Sequence, residues 1–171
     1  MAVIDVGSEA DNRSSFQNNA KSTFVDKHNA ANDTGTLDTF AVFAVANVSG
    51  LKVGTFSVSG TSCTYRDHED IGIVTAGSKQ TFTGKNCTVS SGDYLGWLQV
   101  GGQIEQSLNS PATEIGLYEI SYDAFSSGTH TLNDNTNSYK LAWSVYATGE
   151  AAAGSLPLKN VFGRPFSGVF R

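Results

Sequence analysis

Hydrophobic and polar positions alternate along this chain in short runs with a period of two, and no stretch carries a sustained apolar stripe at helical spacing. Residues 37–48, "LDTFAVFAVANV", place Phe40, Val42, Ala44 and Ala46 on one face and Ala41, Phe43 and Val45 on the other. Apolar residues on both faces predict a central strand covered from two sides. Residues 51–58, "LKVGTFSV", alternate more cleanly, with Leu51, Val53 and Phe56 separated by small or polar residues. Further strands are predicted in "TFVD" (23–26), "CTYR" (63–66), "IGIVT" (71–75), "QTFT" (80–83), "CTV" (87–89), "DYLGWLQV" (93–100), "QIEQSL" (103–108) and "EIGLYEIS" (114–121). In "YKLAWSVYAT" (139–148), Leu141, Trp143, Val145 and Ala147 alternate with Ala142, Ser144 and Tyr146.

Between these runs stand "AGSK", "SSGD", "VGGQ", "SSGT" and "NDNTN", all turn chemistry. About ten strands with turns at intervals of about 8–12 residues predict an all-β fold, a single β-sandwich of jelly-roll type. The body spans residues 1–148. The small-residue stretch "GEAAAGSLP" (149–157) reads as a linker, and residues 158–171 as an extended C-terminal tail.

Composition sharpens this picture at two points. The chain has 171 residues and a formal charge of −5, yet Lys159, Arg164 and Arg171 belong to the tail and every acid precedes it. Residues 1–155 therefore hold eight cations against sixteen acids, a charge of −8. Such a body repels phosphate backbones, so no nucleic-acid partner is expected. No apolar run is long enough to span a bilayer, and "MAVIDVGSEADNRSS" lacks the basic start and apolar stretch of a signal peptide. The expectation is synthesis in the cytoplasm with no membrane partner, and two free buried thiols at Cys63 and Cys87, with a cross-sheet disulfide between them as the alternative.

Candidate chemistry is sparse. "YRDHEDIG" gathers Arg66, Asp67, His68, Glu69 and Asp70, but its spacing fits no calcium loop. It reads as a solvated turn in which Arg66 pairs with Asp67 and Asp70. His28, His68 and His130 stand apart, and no serine sits in a nucleophile elbow. Glu105, Glu114 and Glu119 fall on neighbouring predicted strands, where two carboxylates facing each other across about 5–9.5 Å would suit glycoside hydrolysis. The plainer reading makes them polar faces of half-exposed strands. Trp97, Tyr118 and Trp143 would form a sugar-stacking platform if exposed, and otherwise belong to the core. No catalytic residue, cofactor or metal is assigned.

The stretch from Leu51 to Glu105, above all "RD…IG.V.AGSKQTFTG" (66–84) and "SSGDYLGW" (90–97), resembles a group of small β-sandwich proteins encoded by tailed phages and viral metagenomes. The opening "AVIDVGSEADNR" resembles them too. These are regarded as virion accessory proteins. The resemblance covers about half of the chain, consists mostly of strand and turn residues, and implies no catalytic residue. The tail departs from that group.

The tail has a chemistry of its own. Val161, Phe162, Phe166, Val169 and Phe170, with Arg164 and Arg171, form a basic apolar segment suited to docking, with its own sandwich, a neighbouring copy and a shell protein as the alternative acceptors. Burying each large side chain is worth roughly 1.5–3 kcal/mol, against about 1–2 kcal/mol per residue for ordering the segment. Pro157 and Pro165 favour an extended path, the form in which peptides add to a sheet edge. The sequence therefore predicts a non-enzymatic virion protein, a capsid decoration or head-fibre-like protein. It would associate with its own copies, as a trimer for instance, and with the major capsid protein or another shell protein. The alternative is a carbohydrate-binding module such as the receptor-binding domain of a tail fibre, with glycans as partners.

Overall fold

The structure, a computed structural model, describes residues 2–17, 20–108, 117–135 and 141–153. These residues are all-β and form one antiparallel network of fourteen strands. In chain order they are β1 (Val3–Gly7), β2 (Ser15–Gln17), β3 (Thr23–Asp26), β4 (Gly35–Ser59), β5 (Ser62–Val74), β6 (Lys79–Phe82) and β7 (Cys87–Val89). There follow β8 (Tyr94–Leu98), β9 (Gly101–Leu108), β10 (Leu117–Ile120), β11 (Thr129–Thr131), β12 (Asn133–Asn135), β13 (Leu141–Trp143) and β14 (Val145–Ala151).

One long hairpin organises the fold. At its tip Ser59 pairs with Ser62 across Gly60 and Thr61, and Gly60 takes the φ of +59° that so tight a turn requires. From there β5, β6 and β7 run back in sequence along one edge of β4, ending with Gly35 opposite Val89. The other edge of β4 is taken by β14, β9 and β8. The two strands predicted at 37–48 and 51–58 are thus one element. Register shifts on both sides of Ser49 and Gly50 bend it, with Gly50 at a φ of +58°.

The bend doubles the hairpin over, and its halves enclose one core. Leu37, Phe40 and Val42 from the first half pack in the same cluster as Leu51 and Val53 from the second, with Ile4, Phe24, Trp97, Trp143 and Val145. Phe56, Leu98, Val25 and Cys63 pack in a second cluster, roofed by Ala124, Phe125 and Leu132 from the segment that crosses it. Burying a large apolar side chain is worth roughly 1.5–3 kcal/mol, so these clusters carry most of the stability.

Four sequence expectations need correction. "YRDHEDIG" is a stretch of β5, and "CTYR" and "IGIVT" are its two ends. "YKLAWSVYAT" is divided at Ser144: β13 pairs with β9, whereas β14 lies between β1 and β4. "NDNTN" contributes Asn133–Asn135 to a strand beside β10. Residues 149–151 of the expected linker close β14 against Gly35, Thr36 and Leu37. Gly149 sits at a register shift where a Cβ would run into the Thr36 carbonyl, so the glycine that looked like linker is a packing requirement of the sheet. The remainder of the linker and the whole tail, including Val161, Phe162, Arg164, Phe166, Val169, Phe170 and Arg171, lie outside the described residues.

Candidate functional site

The charged cluster on β5 holds the doubled hairpin shut. Tyr65 pairs with Phe56 and Asp67 with Thr55, which leaves Arg66 as the extra residue of a bulge. Its guanidinium reaches the buried Asp93, with Nη2 donating to Oδ1 at 3.0 Å and Nε to Oδ2. Asp93 Oδ2 also accepts from Ser90 N at 2.8 Å. Asp67 and Glu69 accept from the backbone of the opposite half: Thr88 N donates to Asp67 Oδ2 at 2.7 Å and Asn86 N to Glu69 Oε1 at 2.9 Å. Lys85 Nζ lies 3.6 Å from Glu69 Oε2. The expected pairing of Arg66 with Asp67 and Asp70 is therefore replaced by a clasp to Asp93. The acids serve as side-chain partners for backbone N–H groups that would otherwise lack them.

The remaining sequence candidates do not converge. Glu105 is buried on β9, accepting from Arg13 N, while Glu119 lies on β10 between β3 and β12. Their strands are not neighbours, so Glu105 and Glu119 do not face each other across one sheet; Glu114 lies outside the described residues. Trp97 and Trp143 are 0% and 1% exposed and meet edge to face at 5.0 Å, so neither offers a stacking platform. The Tyr118 side chain is outside the described set. His68 Nδ1 bonds Tyr65 OH at 2.7 Å and His130 Nδ1 bonds Tyr122 OH at 3.2 Å. Cys63 and Cys87 are free and buried, and burial pushes both thiols up to about 12, far from the thiolate form that reacts. Among the described residues no group of three or more His, Cys, Asp or Glu is placed to hold a metal ion.

A cleft that the sequence did not reveal lies where the first and last described strands pair. Asp5 of β1 and Tyr146 of β14 line it with the segment Gly7–Ser8–Glu9, Arg13, His28, Asn29 and Ala142, enclosing about 460 Å³. Its walls are firmly held. Arg13 donates from Nε to Ser144 Oγ at 2.9 Å and from Nη2 to Glu9 O at 2.6 Å, and Ser144 Oγ donates to Asp11 O at 2.6 Å. Asn29 Nδ2 donates to Asp5 Oδ2 at 3.1 Å, and Gly7 N donates to Asn29 O at 3.0 Å. The residues come from three distant segments with no motif spacing, and the only signal was the alternation of "VIDVG".

Behind the cleft, Asp26 is 1% exposed and accepts from Ser8 Oγ at 2.6 Å and His28 N at 2.8 Å. Burial pushes its carboxyl above the ordinary range, against the opposing pull of those two hydrogen bonds. The folded state therefore holds the proton more tightly than the unfolded chain. The contribution of Asp26 to stability is complete below the unfolded value of about 3.9 and is lost as pH rises through the folded one. Asp26→Asn should abolish this loss: urea midpoints of the wild type, compared with those of the variant across a pH series, are expected to fall behind as pH rises from about 4. Parallel curves would rule the assignment out.

Two further features mark the surface. Ile73 and Val100, 73% and 51% exposed, and Val45 lie along the bend of the hairpin. β6 pairs with β4 alone, and its other edge has no strand partner among the described residues. The outer edge of β1 is treated differently: Asn32 Oδ1 accepts from Asp5 N at 3.1 Å and Asn32 Nδ2 donates to Val3 O at 3.2 Å, closing it to strand addition. The chain matches no family model, no curated protein and no solved structure.

Proposed function

We propose that the protein is a non-enzymatic structural component of a virion, a capsid decoration or head-fibre-like β-sandwich of jelly-roll type that associates with its own copies and with a shell protein. The observation that carries this proposal is the bend at Ser49 and Gly50, where Ile73 and Val100 are exposed beside it and Val45 is exposed on the same strand. Each is worth roughly 1.5–3 kcal/mol if a neighbour covers it fully. The edge of β6 without a strand partner among the described residues supports it as well, because an extended peptide docks by adding a strand to such an edge, the mode expected of residues 158–171. The positive charge of that segment favours the acidic body of a second copy.

Truncation after Gly154 should abolish oligomer formation and particle attachment while leaving the far-UV circular dichroism of a β protein. Sedimentation of the truncated and full chains with and without shells measures both. Attachment at undiminished affinity would refute the proposal. The alternative of a glycan-binding module built on an aromatic platform loses Trp97 and Trp143, which are interior residues.

A further inference from the structure

We propose that the cleft between β1, β14 and the segment from Gly7 to Arg13 is a binding site for a neutral, hydroxyl-rich ligand, a saccharide. The site stands apart from the apolar bend and the tail and does not depend on the shell reading.

Charge is the first reason. The Asp5 and Glu9 carboxylates are matched by the Arg13 guanidinium and by Lys79, whose Nζ lies 3.6 Å from Glu9 Oε2. An anion entering the cleft meets the Asp5 and Glu9 carboxylates, and a cation meets the Arg13 guanidinium, so a fixed ligand charge of either sign has a like-charged neighbour. A neutral ligand meets no such penalty.

Hydrogen-bonding capacity is the second. The lining mixes acceptors that an ionised carboxylate offers in several directions with donors from Asn29, Arg13 and Tyr146. Asn29 uses one amide hydrogen on Asp5, which fixes both side chains and leaves the second hydrogen of that amide. Burial and the neighbouring Asp5 and Glu9 carboxylates push the Tyr146 phenol up, so it stays a protonated donor. A hydroxyl group donates and accepts at once, and vicinal hydroxyls present that pair repeatedly, so a saccharide satisfies donors and acceptors set side by side. The Tyr146 ring supplies an apolar face of the kind on which the C–H face of a sugar ring rests.

Rigidity and size are the third. The Arg13 bonds to Ser144 and Glu9, and the bond from Gly7 to Asn29, hold the walls before a ligand arrives, which lowers the ordering cost of binding. A volume of about 460 Å³ falls within the usual range for small-ligand sites.

The test is a titration of the ¹⁵N-labelled full chain with lactose, maltotriose and chitotriose, alongside sialyllactose and spermidine as charged controls. At least one neutral saccharide is expected to shift the amides of Asp5, Gly7, Glu9, Asn29 and Tyr146 at millimolar concentration. Tyr146→Ala should weaken that binding about tenfold or more. Asp5→Asn, which keeps the shape and removes the charge, should weaken it in a chain whose remaining spectrum is unchanged. Absence of shifts in the cleft with all three neutral saccharides would overturn the proposal. So would tighter binding of either charged control, or saccharide binding that both variants leave intact.

Discussion

Replacement of Trp97 by alanine is expected to destabilise the protein by about 3–5 kcal/mol, the largest single-residue loss in the fold. Trp97 lies on β8 at the middle of the main core, stacked on Phe24 at 5.6 Å and edge to face with Trp143 at 5.0 Å. Phe24 and Trp143 complete the triangle at 6.5 Å. Each aromatic pair is worth about 0.5–1.5 kcal/mol beyond the area it buries, and alanine forfeits two of them while opening a cavity. The Trp97 indole N–H finds no acceptor among the described residues. Trp97→Phe removes that unmet donor and should cost less than half as much. Equilibrium unfolding in urea checks both, and a Trp97→Ala loss under about 1 kcal/mol would mean that the core re-forms around the gap.

The clasp between Arg66 and Asp93 should produce the second largest effect. The Asp93 side chain is 2% exposed, whereas that of Arg66 is 34% exposed. Removal of Arg66 therefore strands a buried carboxylate, while removal of Asp93 leaves a guanidinium that water can reach. Breaking a buried pair costs about 3–5 kcal/mol, discounted here to about 2–3 kcal/mol because one partner meets solvent. Asp93→Ala also deprives Ser90 N of its acceptor. The double variant should lose less than the sum of the single losses by about 1–2 kcal/mol, as partners in one network do. Additivity within about 0.5 kcal/mol in a thermodynamic cycle would show that the pair does not hold the hairpin closed.

Strand positions were legible wherever alternation was undisturbed. Thr23–Asp26 and Cys87–Val89 have the predicted bounds, and Phe40, Val42 and Ala44 face the core as their spacing requires. Errors arose where a residue type has two uses. Ser49–Gly50 is turn chemistry, yet here it bends a strand that continues, because β5 and β9 keep pairing on either side. The charges at 66–70 look like a solvated loop because sequence does not show that unpaired N–H groups of Asn86 and Thr88 await two of them. Asn-rich 133–135 enters a strand through pairing with β10, a long-range fact. The cleft was invisible for the same reason: Asp5 and Tyr146 share it only because β1 and β14 are neighbours.

The union of Val3–Gly7 with Val145–Ala151 has a consequence for biosynthesis. On the ribosome, β1 must wait, with Ile4 and Val6 uncovered, until β14 has been read. The hairpin from Gly35 to Val89 can zip from its Gly60 tip long before that. A nascent chain arrested ahead of Val145 would accordingly show a protease-resistant middle and a cleavable beginning, and chaperones would meet it there.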